Sequence, residues 1–154
     1  MHTIWQHAKR HDLDHLPDDE KQLAEIMLDH EDEYFNKFEF SDVLSDYQFD
    51  PNSEVNPFLH ITLHAVVENQ LKAKDPIEVY QFYNSMIKNK TSRHDTVHLI
   101  AGILAPLIFY SMKHMKEFDL NIYRLLLKKY KDRKADKISS DLEKDIDLMF
   151  SDEM

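Results

Sequence analysis

The chain of 154 residues contains a single glycine, Gly102. Strand-rich folds and phosphate-cradling Rossmann loops need many glycines, because their turns and close backbone approaches require positive φ. One glycine therefore argues against both and for helices joined by short polar loops. The hydrophobic pattern agrees, since alternation of apolar and polar residues over strand lengths is scarce. The expected fold is all-α, an up-and-down bundle of about five to six helices. The length suits a domain with its own core. We expect the bundle over residues 1–133 and a C-terminal amphipathic extension over 134–154.

Local signals set the helices. Trp5 anchors a short N-terminal helix against the body. Pro17, Asp18, Asp19 and Glu20 put a rigid φ and negative charge where a first turn favours them. With Leu23, Ile26 and Met27 as its apolar stripe, that helix is predicted over 18–33. Residues 36–55 mix aromatics with acids and predict little regular structure. Asn56 as N-cap and Pro57 in the first helical position open a helix over 57–73. "KDP" at 74–76 breaks it, and Pro76 starts another over 76–88. Thr91 or Ser92 caps a long helix over 92–114, in which Pro106 predicts a kink. A shorter helix follows over 119–130. The tail "ISSDLEKDIDLMFSDEM" turns amphipathic at Ser140. It can dock on the body, or meet a protein partner or a second copy of the chain.

Charge and composition exclude several functions. The net charge of −10 repels phosphate backbones, so no nucleic-acid partner is expected. The basic cluster "KKYKDRKADK" reads as a solvated helix end whose cations suit the C-terminal dipole. Absence of cysteine excludes disulfides, thiol chemistry and thiolate ligands, and fits a reducing, cytoplasmic setting. The N-terminus "MHTIWQHAKRHDLDH" has no apolar signal segment. The longest apolar run, "VHLIAGILAPLIFY" at 97–110, falls short of the ~20 residues of a membrane span and holds His98 and Pro106. A buried core helix is expected there, with no membrane partner.

The chemistry concentrates in "NPFLHITLHAVVENQL", residues 56–71. His60, His64 and Glu68 recur every fourth residue and share one stripe of an apolar helix. His94 and His98 repeat the spacing in the next-but-one helix. Two imidazoles at i, i+4 can ligate one metal ion. Short loops make neighbouring helices antiparallel, so these two helices run parallel and their histidine pairs fall at the same height. If the 18–33 helix runs antiparallel to 57–73, its "DHEDE" end brings His30, Glu31 and Glu33 to that level. The stripe of His94 and His98 continues to Gly102 and Pro106. Mid-helix glycine costs about 1 kcal/mol against Ala. It lets another helix approach, leaves room beside the site, or is merely tolerated near Pro106. The remaining histidines, His2, His7, His11, His15 and His114, lie in polar surroundings.

This stretch resembles the central motif of a family of small bacterial proteins, domain-of-unknown-function family 1841, which reads N-P-F-L-H-x-x-L-H-x-x-x-E-x-Q-L. Asn56, Pro57, Phe58, Leu59, His60, Leu63, His64, Glu68, Gln70 and Leu71 match it. "RHDTVH" resembles the family's later H-D-x-x-H, matched by His94, Asp95 and His98. "MLDHEDEY" resembles an earlier region, matched by His30. The resemblance spans about residues 5–130, with the tail beyond Lys134 as an addition. It supports the choice of residues and implies no reaction.

Two readings compete. The first is a helical metalloprotein in which His60, His64, His94 and His98 hold a divalent transition metal, Zn or Fe first among those that suit imidazole. Glu68 or His30 serves as further ligand or orients one, and Glu68 is the candidate base if a coordination position stays open to hydrolytic or iron–oxygen chemistry. The second is a non-enzymatic acidic interaction protein whose histidines form a hydrogen-bonded structural cluster, with Glu68, Asp95 and Glu31 as partners.

Overall fold

A computed structural model describes residues 1–41 and 56–150. The described residues are all helix and turn, without a strand, as the glycine count implies. They form eight helices rather than five to six: α1 His2–Lys9, α2 Asp18–Asp29, α3 Glu31–Glu39, α4 Pro57–Ala73, α5 Ile77–Lys88, α6 Arg93–Lys113, α7 Leu120–Tyr130 and α8 Ala135–Phe150. The stretch expected to be irregular lies outside the described residues from residue 42 to 55. The chain forms two compact units, Met1–Ala65 and Val66–Met154, with the boundary inside α4.

The first unit is built around Trp5, which is fully buried with Ala24, Met27, Phe38 and Ile61. Its indole packs on Phe38 at 5.2 Å between ring centroids. Its N–H donates to Glu39 at 3.0 Å, and Lys9 donates to the same carboxylate at 2.8 Å. One buried aromatic thus ties α1 to α3, worth about 1.5–3 kcal/mol from burial alone.

The expected single helix over 18–33 is two helices, α2 and α3. The break is at His30, whose φ of −108° and ψ of 12° leave the helical region. Its N–H still bonds the carbonyls of Ile26 and Met27, while its own carbonyl accepts from Glu33 and Tyr34 and so starts α3. The electrostatics explain the break. "EDE" is unfavourable at the negative end of a continuing helix but favourable in a first turn, where Glu31, Asp32 and Glu33 sit.

In the second unit α6 is the core helix. It packs against α5, α7 and α8, and α5 packs on α7. Val97, Ile100, Ile103, Leu104 and Leu107 are its buried face. Among the described residues it is the one helix long and apolar enough to cross a membrane, and nearly half of that stretch is buried within the protein. Its cap is Ser92, whose hydroxyl accepts from the Asp95 N–H at 3.1 Å. Pro106 sits inside α6, which continues through it as one element. The tail docks on the body: Ile138 and Leu142 are buried, Phe150 stacks on Tyr110 at 3.8 Å, and Tyr130 donates to Asp145. With no glycine at the helix ends, Lys74, Lys90 and Met115 adopt the left-handed conformation just past α4, α5 and α6.

The buried carboxylate of this unit is Glu78, 3 % exposed, which accepts from Arg124 at 2.9 Å with Lys128 at 3.9 Å. Burial by itself raises its carboxyl. The backbone N–H it accepts from, Arg124 and Lys128 outweigh that and hold it below the usual carboxylate range. Asp145 is held low by Lys129 and Tyr130, and Glu39 by Lys9 and Trp5. Depressed carboxyls stabilise the fold above their unfolded pKa, and that contribution is lost as pH falls through the folded one. We therefore predict an unfolding free energy that is flat with respect to these groups above about pH 5 and declines below about pH 4, read by denaturant titration of chelated protein. Arg124→Met should cost about 1–3 kcal/mol at neutral pH by leaving Glu78 poorly compensated, and should flatten the acid decline.

Candidate metal centre

The break at His30 shapes the site. The His30 ring, 2 % exposed, places Nδ1 2.8 Å from the Ile26 carbonyl. A carbonyl only accepts, so Nδ1 carries the proton. In the neutral ring the lone pair is then on Nε2. The hydrogen bond of a ring nitrogen to backbone is the usual way a protein fixes the tautomer of a metal-binding histidine.

Helix α4 supplies the other two rings. Its start matches the predicted boundary, because the Asn56 side chain accepts from the N–H groups of Phe58 and Leu59 at 3.0 and 3.1 Å. That cap, with Pro57, sets the phase in which His60 and His64 fall one turn apart. Their ring centroids are 4.7 Å from each other. Both also meet His30, at 4.9 Å for His60 and 4.7 Å for His64. The donor nitrogens of His30, His60 and His64 lie within 4.8 Å of one another. Nε2 of His60 is 3.2 Å from Nε2 of His30. Two imidazole nitrogens on one tetrahedral zinc, at 2.0–2.1 Å each, are separated by roughly 3.3–3.4 Å. The observed contact is close to that separation. It is also the length of an N–H···N hydrogen bond from His60 to His30.

Tyr34, one helical turn after His30, stacks on the His30 ring at 6.1 Å and meets His60 edge-on at 5.9 Å. Burial first, then neighbouring Glu33, pushes its phenol up. It is the residue beside the histidines that sequence reasoning passed over. The H-x-x-x-Y spacing of "HEDEY" was its signal. Glu31 and Glu33 are exposed.

In the second unit, Glu68 accepts from Arg93 at 2.5 Å and is itself 15 % exposed. The carboxylate is engaged by a guanidinium. His94 and His98 have ring centroids 4.2 Å apart in the first two turns of α6. They line a cleft together with Asp95, Gly102 and residues of α8. Among the described residues a Cβ built on Gly102 meets nothing within 4 Å, so the glycine leaves room there rather than admitting a close helix. His114 caps the far end of α6 against Tyr110, at 4.4 Å between rings.

A family model described as a domain of unknown function (DUF1841) matches residues 1–145. The chain belongs to this family. The match takes in His30, His60 and His64, the pair on α6 and most of α8, so the DUF1841 region runs further into the tail than the motifs alone suggest. Neither a curated protein nor a solved structure matches the chain.

The His30 geometry makes a direct prediction for this DUF1841 protein. Long-range proton–nitrogen spectra of histidine-labelled protein should show His30 protonated at Nδ1 with Nε2 lacking a proton. Finding the opposite tautomer would remove Nε2 of His30 as a donor to anything.

Proposed function

We propose that this protein is a helical metalloprotein in which His30, His60 and His64 hold a divalent transition-metal ion through ring nitrogens. The observation that carries the reading is the 3.2 Å approach of the His30 and His60 Nε2 atoms, with the His30 tautomer set by the Ile26 carbonyl. An all-imidazole donor set suits Zn or Fe and is poor for Ca or Mg, which prefer oxygen. The repeated H-x-x-x-H of the sequence supports His98 as the fourth ligand in this proposal, with His94 beside it. Glu68 then orients rather than ligates, since Arg93 engages it. An ion on three or four imidazoles supplies Lewis-acid or redox chemistry where a coordination position is open, and structural stabilisation where none is. A hydrolytic or iron–oxygen activity belongs to the open case. Zero cysteines and the net charge of −10 support a cytoplasmic protein that binds neither nucleic acid nor membrane, with the amphipathic tail as the segment that meets a protein partner or a second copy of the chain.

The second reading is favoured by the same contact taken as a hydrogen bond. His60 then donates to His30, the cluster is structural, and the protein acts through its acidic surface. Elemental analysis of tag-free protein separates the two. We expect about one equivalent of Zn or Fe, lost in His64→Ala and in His98→Ala, with a lowered Tm in both. His114→Ala should change neither. Full metal content in both variants would eliminate the metal reading. Absence of metal from wild type, with a Tm indifferent to chelator, would establish the structural one.

A further inference from the structure

The cleft beside the α6 histidines belongs entirely to the second unit and has a role of its own. It encloses about 690 Å³ between the first turns of α6 and α8. Sites for small organic molecules typically measure roughly 300–1,000 Å³. Its apolar walls are Leu99, Ile138 and Leu142, and its polar groups include His94, His98, Asp95 and Asp136.

Gly102 lines this cleft, and its identity is hard to explain by stability. In a helix interior Ala is better than Gly by about 1 kcal/mol. Among the described residues steric need does not require the glycine either, because an added Cβ would meet none of them within 4 Å. Nor does backbone conformation, since its φ is not positive. A methyl group there would project into the open space of the cleft. Pro106 adds to this: it has no N–H to give the Gly102 carbonyl, the group it would ordinarily reach one turn back.

The lining selects the ligand. Two carboxylates, Asp95 and Asp136, lie on it, and no Lys or Arg does. The whole chain carries −10. An anion would meet repulsion from both sources, whereas a cation is attracted. The hydroxyls of Thr91 and Ser139 add acceptors for an N–H donor. We infer that this cleft binds a small amphipathic amine, its ammonium group at the Asp95–Asp136 rim and its hydrocarbon body against Leu99, Ile138 and Leu142 over Gly102. The inference does not rest on the metal reading.

The test uses the full chain as purified and two probes of matched shape, phenethylamine and phenylpropionate, followed by amide chemical shifts. Phenethylamine should perturb Gly102, Ile138 and Ser139 saturably, and phenylpropionate at equal concentration should not. Gly102→Leu should weaken the amine by about tenfold or more with helix content unchanged. Asp136→Asn should weaken it about two- to fivefold, the size of an exposed ion pair. If Gly102→Leu fails to fold, Gly102→Ala decides the matter: it should raise Tm and still weaken the amine. Equal binding of phenylpropionate, no saturable shift with phenethylamine, or undiminished binding in the folded Gly102 variant would each overturn the inference. These shifts are read whether or not an ion is bound, so they stand or fall separately from the metal analysis.

Discussion

The hydrogen bond from His30 Nδ1 to the Ile26 carbonyl is the interaction on which the candidate site depends. A helix running past residue 30 would give that carbonyl to the backbone N–H alone. At the break the carbonyl takes both the His30 N–H and the His30 ring. The same contact sits where the acids of α3 end α2, holds the buried imidazole and decides which nitrogen bears the proton. Without it the ring would be one more polar group at a helix end, with either tautomer open to it. A secondary-structure boundary and a chemical assignment meet at one bond.

The second unit solves a different problem, the burial of a helix that is apolar over most of its length. Valine, isoleucine and leucine of α6 take three helical neighbours. The histidines of its first two turns remain at the edge of the packed region, His94 exposed and His98 half-buried. Gly102 marks the transition, as the last position of that stripe to line open space. Placing a poor helix former at this point weakens α6 where its neighbours do not compensate by packing, which is the pattern expected where function and stability compete.

Much of this was legible in the residues, and the reasons for success and failure are specific. The start of α4 was read correctly because an Asn cap and a Pro fix it by chemistry independent of tertiary context. That in turn fixed the phase of His60 and His64. The all-helical class followed from one glycine. The α2–α3 break was missed although its signal was present, since three acids in succession suit a helix start far better than a helix end. A periodic apolar stripe over Leu23, Ile26 and Met27 hid it. The pairing of Glu68 with Arg93 could not be read from spacing along one helix, because its partner is 25 residues away. Left-handed Lys74, Lys90 and Met115 were likewise invisible: glycine marks such positions in most chains, and here exposed lysines and a methionine occupy them.

The distribution of acids bears on the chemistry of the histidines. A chain with 29 acidic against 19 basic residues would be expected to surround any imidazole cluster with carboxylates, which favour its protonated form. The buried and half-buried acids of the second unit are instead committed to cations. Glu78 engages Arg124, Glu68 engages Arg93, Asp145 engages Lys129, and Asp141 engages Arg133. In the first unit Glu39 is held by Lys9 and Trp5, and the acids flanking His30 in sequence are exposed. Water screens exposed charges far more strongly than buried ones. The excess negative charge thus raises the local concentration of cations around the chain. Neutral rings are the form that ligates, and protons and metal compete for the same lone pairs. On His30 the Ile26 carbonyl accepts from the Nδ1–H, so Nε2 carries the lone pair for which proton and metal compete.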